Sequence, residues 1–247
     1  MPNLPHWPYP RLVAHRGGGY VAPENTLGAL RMGHEHGYRM AEFDVKLTKD
    51  QQIILLHDTT LERTTDGHGV AGELSLGELA LLDAGSWHSP SFAGETIPTL
   101  AGIARYAQAN NIACNIEIKP TPGLEALTGQ LVARQARKDW GQAALAPLLS
   151  SFSRTSLEAA MIEAPELPRG FISDSLPENW QQLLAELRCV SIHLKHSFVT
   201  RQNIADIHKA GYRIAVWTVN EIAPANELLS WGVDAVITDA IDRISPV

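Results

Sequence analysis

The chain has 247 residues, 45% of them hydrophobic and 19% charged, which suits one large domain or two small ones around a substantial core. A formal net charge of −7 argues against general affinity for nucleic acid or an anionic membrane, so an anionic ligand would need a local positive site. The Pro- and aromatic-rich start, Met1 to Pro10, lacks the charged and apolar regions of a signal peptide, and no apolar run is long enough to cross a bilayer; a cytoplasmic location is expected.

From Leu12 onward, short apolar runs alternate with polar turns and stretches of helical period. The spacing predicts strands at Leu12–His15, Met40–Lys46, Cys114–Lys119, Pro147–Ser151, Pro168–Ile172, Cys189–Leu194, Arg213–Val219 and Ala235–Thr238. Between them it predicts a helix at Thr26–His36, capped by Asn25 and closed by Gly37, and another at Thr99–Asn110. Further helices are expected at Leu124–Lys138, Ser156–Glu163, Asn179–Leu187, Arg201–Ala210 and Ala225–Trp231. Roughly eight β-then-α units in about 250 residues point to one TIM (β/α)8 barrel spanning 1–247. A doubly wound open sheet shares the alternation, but no glycine-rich dinucleotide fingerprint is present. Cys114 and Cys189 lie in apolar strand-like runs and read as reduced core thiols.

One stretch breaks the rhythm. Leu47–Gln51 is too short for a crossover helix, so Gln52–His57 must return antiparallel as a hairpin. Asp58 to about Thr96 then forms a Gly-rich, polar insertion. Residues 47–97 are expected to make a small lid-like subdomain after the second barrel strand, with Trp87 and Phe92 in its own core.

The motif with most chemical content is Glu42-Phe43-Asp44, answered by Asn115-Ile116-Glu117-Ile118-Lys119. Side chains alternate along a strand, so Glu42 and Asp44 share one face, as do Asn115, Glu117 and Lys119. Inward carboxylates on buried strands are costly without a compensating cation. Oxygen ligands without cysteine favour Mg²⁺, Ca²⁺ or Mn²⁺ over zinc. Active sites of TIM barrels gather at strand C-terminal ends. That rule adds His15, Arg16, Lys119 and Trp217 to the three acids. His15 and His57 suit paired general acid–base catalysis, and Arg16 and Lys119 suit an anionic phosphate.

In order, Ala14-His15-Arg16-Gly17, Pro23-Glu24-Asn25-Thr26, Glu42-Phe43-Asp44-Val45, Leu56-His57-Asp58, Leu61-Glu62-Arg63-Thr64-Thr65, Glu117-Ile118-Lys119 and Trp217-Thr218-Val219-Asn220 resemble the motifs of bacterial cytosolic glycerophosphodiester phosphodiesterases. The resemblance runs from about Arg11 to Asp242. It implies metal-dependent hydrolysis of substrates such as glycerophosphocholine to sn-glycerol 3-phosphate and an alcohol. It further implies Glu42, Asp44 and Glu117 as metal ligands, His15 and His57 as the acid/base pair, and Arg16 and Lys119 at the phosphate. Asn25 is expected to orient this network, and Trp217 to pack on the glycerol carbons. The expected partner is this small molecule, with no nucleic acid and no membrane; head group, cation and oligomeric state stay open. Competing readings are a lysophospholipase D-like enzyme and a non-catalytic sensor. Of the remaining residues, His193 shares a face with Ser191 and points toward the pocket in one reading, Ser150 and Ser151 end the fourth strand, His34 and His36 read as solvated, and His68 reads as a loop residue of the insertion, with substrate contact the alternative.

Overall fold

The computed structural model describes residues 6–246; Met1–Pro5 of the proline-rich start, and Val247, lie outside it. Eight parallel strands, β1 (Leu12–Ala14), β2 (Met40–Leu47), β4 (Ala113–Ile118), β5 (Leu148–Ser151), β6 (Arg169–Ser173), β7 (Ser191–Lys195), β8 (Arg213–Trp217) and β9 (Ala235–Thr238), follow one another around a barrel. Closure comes from β1, which pairs with β9 through Val13↔Ile237 and with β2 through Ala14↔Ala41. The fold is therefore the TIM barrel, and the open sheet is excluded. Helices α1 (Leu27–Glu35), α3 (Leu100–Ala109), α4 (Glu125–Trp140), α5 (Arg154–Glu163), α6 (Trp180–Glu186), α7 (Arg201–Lys209) and α8 (Ile222–Trp231) make the crossovers.

The period-2 pattern of each strand divides the core. Outward residues such as Phe43, Ile116 and Leu149 pack under α3 and α4 against Leu100, Ile103 and Val132. Inward residues Val13, Met40, Leu148, Ala215 and Ala235 fill the lower barrel, where Trp7 and Tyr9 pack against them. With the lower end filled, polar chemistry is confined to the strand C-terminal ends.

The excursion after β2 is a hairpin: β3 (Ile53–Leu55) pairs antiparallel through Val45↔Leu55 and Leu47↔Ile53. Beyond it, residues 56–97 hold the short α2 (Leu76–Leu79) and a core of Leu56, Leu61, Ala71, Leu79, Ala84 and Ile97. That core is aliphatic, contrary to the expectation for Trp87 and Phe92. Trp87 is 41% exposed, and Phe92 stands half-buried beside His88. The starts of α1 and α8 differ from expectation, and α5 begins at Arg154 rather than Ser156. Thr26, not Asn25, caps α1, its Oγ1 accepting from Ala29 N–H at 3.1 Å. α8 begins at Ile222 rather than Ala225, because Pro224 falls in the first turn, where no intrahelical N–H bond is lost. Both cysteines are buried and free. No helix among the described residues is long and apolar enough to cross a membrane.

At the lower end Arg169, only 2% exposed, donates from its guanidinium to the carbonyls of Leu187, Leu167 and Arg188 at the ends of α5 and α6. Removing the guanidinium leaves these buried carbonyls without the charged donor that serves them, so Arg169→Met should cost about 3 kcal/mol of stability. Urea unfolding reads that loss, while kcat should stay within about twofold because the site lies at the other end.

Candidate active site

The loop after β1 turns sharply. Arg16 takes φ +50 and Gly17 φ +88, so the strand ends at Ala14 and His15 sits on the turn. A side chain at Gly19 would meet the Asp239 carbonyl at 2.0 Å, so only glycine lets this loop close on the end of β9. There His15 Nδ1 lies 2.5 Å from Asp239 Oδ1. The backbone N–H of Arg16 donates to Glu42 Oε2 at 3.1 Å.

Glu42 and Asp44 on β2 and Glu117 on β4 converge, offering oxygens within 4.8 Å of one another. Their setting is asymmetric. Burial and the neighbouring Asp44 carboxylate push Glu42 up to about 8, and burial with the same neighbour pushes Glu117 up to about 7. Burial acts on Asp44 too, but Lys119 and Arg16 hold it down to about 2. Asn25, at φ +60, reads Asp44 from both sides: its Nδ2 donates to Asp44 Oδ2 at 2.9 Å and its Oδ1 accepts the Asp44 N–H at 3.1 Å.

The hairpin delivers His57 to the same mouth. Leu56 N–H donates to the Asp44 carbonyl at 3.1 Å, and the buried Lys46 ammonium donates to the carbonyls of His57 and Asp58. His57 Nδ1 lies 2.6 Å from Asp58 Oδ1, and its Nε2 2.6 Å from Lys119 Nζ. Lys119 also reaches Glu117 Oε1 at 3.2 Å and Asp44 Oδ1 at 3.5 Å. Arg16 donates to Glu24 at 2.6 Å, and its Nε, unpartnered and buried, lies 3.6 Å from Asp44 Oδ2.

Each histidine thus has one ring nitrogen held by a carboxylate and the other turned to the site. An ionised carboxylate only accepts, so the Nδ1 atoms carry the protons and Nε2 is the basic atom of each neutral ring, that of His57 accepting from the Lys119 ammonium. Burial opposes the charge on His15, yet Asp239 and Glu42 raise its pKa. Burial lowers that of His57 in spite of Asp44.

His15, Arg16, Glu42, Asp44, His57, Glu117 and Lys119 line one cavity, together with Asn115, Phe152, Ile172, His193, Trp217, Thr218 and Ile237. Every site residue expected from the sequence is brought there. Trp217 stands edge-on to Phe152, with ring centres 5.6 Å apart. His34, His36, His68, Ser150 and Ser151 do not line it. The sequence reading missed Asp239, Asp58, Phe152 and the pair Glu24–Arg63. Asp239 follows the last strand, so the strand-end rule could have found it. Arg63 could not have been found that way: it comes from the insertion and donates to both Glu24 and Asp58, at 2.7 and 2.6 Å.

His193 is 1% exposed, and burial pushes its pKa down to about 4. In the unfolded chain it titrates near 6.5, so between those values only the unfolded state binds the proton. His193 should therefore contribute nothing to pH dependence above about 7 and remove about 3 kcal/mol as pH falls to 4. Subtracting the stability–pH curve of His193→Gln from that of the wild type isolates the effect; a flat difference would refute it.

The chain matches the glycerophosphoryl diester phosphodiesterase family over residues 15–243. It is 36% identical to the YhdW protein of Bacillus subtilis strain 168 over 94% of this chain and 96% of that one. A glycerophosphodiester phosphodiesterase of Caldanaerobacter subterraneus is 32% identical, with 92% and 93% covered. An Oleispira antarctica phosphodiesterase, solved in complex with its product sn-glycerol 3-phosphate, superposes with a TM-score of 0.90 at 37% identity, covering 96% of this chain and 95% of that one. The match over nearly the whole chain, on a barrel of the same shape, makes this protein a member of the glycerophosphoryl diester phosphodiesterase family.

Proposed function

We propose that this cavity hydrolyses glycerophosphodiesters, such as glycerophosphocholine and glycerophosphoethanolamine, to sn-glycerol 3-phosphate and an alcohol. The observation that carries the reading is the pair of carboxylate-anchored histidines facing three clustered acids and two cations. A pure binding site has no use for two such bases. The product bound by the Oleispira relative supports the same substrate class.

The acids fit a hard divalent cation. Glu42 Oε1 is buried without a hydrogen-bond partner, and two of the three carboxyls are pushed toward protonation, as expected of ligands facing one another uncompensated. Glu42, Asp44 and Glu117 would hold Mg²⁺ or Ca²⁺, with Mn²⁺ the third candidate. Bound there, the ion supplies a Lewis acid for a phosphoryl oxygen.

The chain's own groups do the rest. Arg16 and Lys119 take the phosphate oxygens, both lying beside Asp44 and Arg16 having its Nε unpartnered. One histidine removes the proton of the nucleophile, the glycerol 2-hydroxyl or a water, and the other protonates the leaving alkoxide. The histidine that gives the proton starts as an imidazolium and ends neutral, the one that takes it does the reverse, and Asp239 and Asp58 hold the Nδ1 protons and stabilise the charged ring in each case. Trp217 and Phe152 give the carbon chain an apolar wall. A cyclic phosphate trapped in single turnover would identify the 2-hydroxyl as nucleophile.

Release of sn-glycerol 3-phosphate from glycerophosphocholine is the direct test. Activity should vanish in EDTA and return with at least one of the three cations. The productive cation should also raise the thermal midpoint, since at 100 times its Kd it adds about 2.7 kcal/mol to stability. EDTA-resistant turnover would exclude the metal, and a wild type inactive with every cation would exclude the reaction.

A further inference from the structure

The cavity has two unlike halves. β1, β2 and β4, with the hairpin, contribute every charged group on its wall: His15, Arg16, Glu42, Asp44, Glu117 and Lys119. The opposite wall, from β6 to β9, is neutral: Ile172, His193, Trp217, Thr218 and Ile237. Within that half a single side chain is both deeply buried and polar at its ring: His193, on β7 between Ile172 of β6 and Ala215 of β8.

The ring is held in a made place. Its Nε2 lies 3.0 Å from Ser191 Oγ. A side chain at Gly170 would meet that Nε2 at 2.5 Å and Ser191 Oγ at 2.8 Å, so glycine there is what admits the ring. The other nitrogen, Nδ1, is buried and has no hydrogen-bond partner among the described residues. An unpaired buried nitrogen is costly, and a ring so closely packed cannot swing away to relieve it. Because a serine hydroxyl can either donate or accept, Ser191 leaves both tautomers open. Nδ1 can then accept from a ligand hydroxyl or donate to it.

We propose that His193 binds the uncharged polyol arm of the substrate, its Nδ1 hydrogen-bonding a free hydroxyl of the three-carbon glycerol unit while the phosphate lies across the cavity at Arg16 and Lys119. The proposal rests on the phosphodiesterase reading above and specifies which wall faces the glycerol. The quaternary ammonium of a choline head group has no hydrogen-bonding atom to give this nitrogen, so that head group is directed outward. His193 is then the residue that distinguishes a glycerol ester from a simple alkyl ester.

The test compares two anions of the same charge and chain length. Calorimetric binding of sn-glycerol 3-phosphate and of n-propyl phosphate, with the activating cation present, is measured for the wild type, His193→Phe and His193→Asn. The wild type should prefer the glycerol ester by about tenfold, the worth of one neutral hydrogen bond. In His193→Phe the preference should fall to within about twofold, with propyl phosphate bound as before. His193→Asn, which keeps a polar atom near the position of Nδ1, should recover part of it. Gly170→Ala supplies a second route, since its methyl displaces the ring without altering any charged group, and it should lose the preference as well. A preference that survives both His193→Phe and Gly170→Ala, or is absent from the wild type, overturns the proposal. Turnover of glycerophosphocholine by the wild type is read alongside: its absence counts against the phosphodiesterase reading, whereas the affinity ratio alone decides the role of His193.

Discussion

Glu42→Gln is expected to lower kcat/KM on glycerophosphocholine by about a thousandfold or more without lowering the thermal midpoint measured in EDTA. On the proposed metal site, the activity loss follows from losing one of three anionic ligands: several kcal/mol of charge stabilisation would go with the ion, at 1.36 kcal/mol per tenfold in rate. Stability moves the other way because glutamine keeps an oxygen for the Arg16 N–H but removes a carboxyl buried beside Asp44 and Glu117. Sites built for function commonly carry such strain, and neutralising it commonly stabilises the fold. The two readouts together discriminate. A carboxylate present only as a structural partner of Arg16 or Lys119 would lower the midpoint when neutralised and leave turnover in place.

The second large effect is at the histidines. His15→Ala and His57→Ala should each cost about 10²–10⁴-fold in kcat, and the double variant little more, because the proposed mechanism uses the two in one proton relay. Asp239→Asn should approach the cost of His15→Ala. The reason is the fixed orientation of Asn220, whose Oδ1 accepts the Asp239 N–H at 2.8 Å and whose Nδ2 donates to Asp239 Oδ2 at 3.0 Å. An asparagine at 239 must turn its oxygen to that donor and its NH₂ to His15. Nδ1 then has to accept, the proton moves to Nε2, and the base faces the site in the wrong tautomer. Adding Asn220→Asp gives the new amide an acceptor, lets its oxygen return to His15 Nδ1–H, and should recover at least about tenfold. Full activity in Asp239→Asn would disprove the tautomer argument.

Much of the site was legible because it depends on local periodicity. Glu42 and Asp44 share a face for the same reason that Phe43 packs outward under the helices, and Asn115 and Glu117 repeat the pattern on the neighbouring strand. The register Glu42↔Asn115 and Asp44↔Glu117 then brings the two runs level. The hairpin was legible from length alone, since a five-residue gap admits no crossover. Errors arose where one residue has two uses for the same chemistry. Asn25 reads as a helix cap, but its amide is bound to Asp44 and the cap passes to Thr26. Trp87 reads as core, yet the aliphatic residues of the insertion fill that space before it.

The sequence by itself therefore determined the alternation of strands and helices, the inward face of each strand, and the set of groups able to reach the C-terminal mouth. All of these follow from side-chain direction within a few residues. Only the tertiary structure decided which group serves which. Closure of β1 on β9 sets Asp239, 224 residues away, against His15. Folding back of the insertion lets Arg63 tie Glu24 to Asp58. The glycine at 170 makes room for the ring of His193 on the neighbouring strand. Such pairings depend on ångström-scale distances between segments far apart in the chain, which no local period encodes.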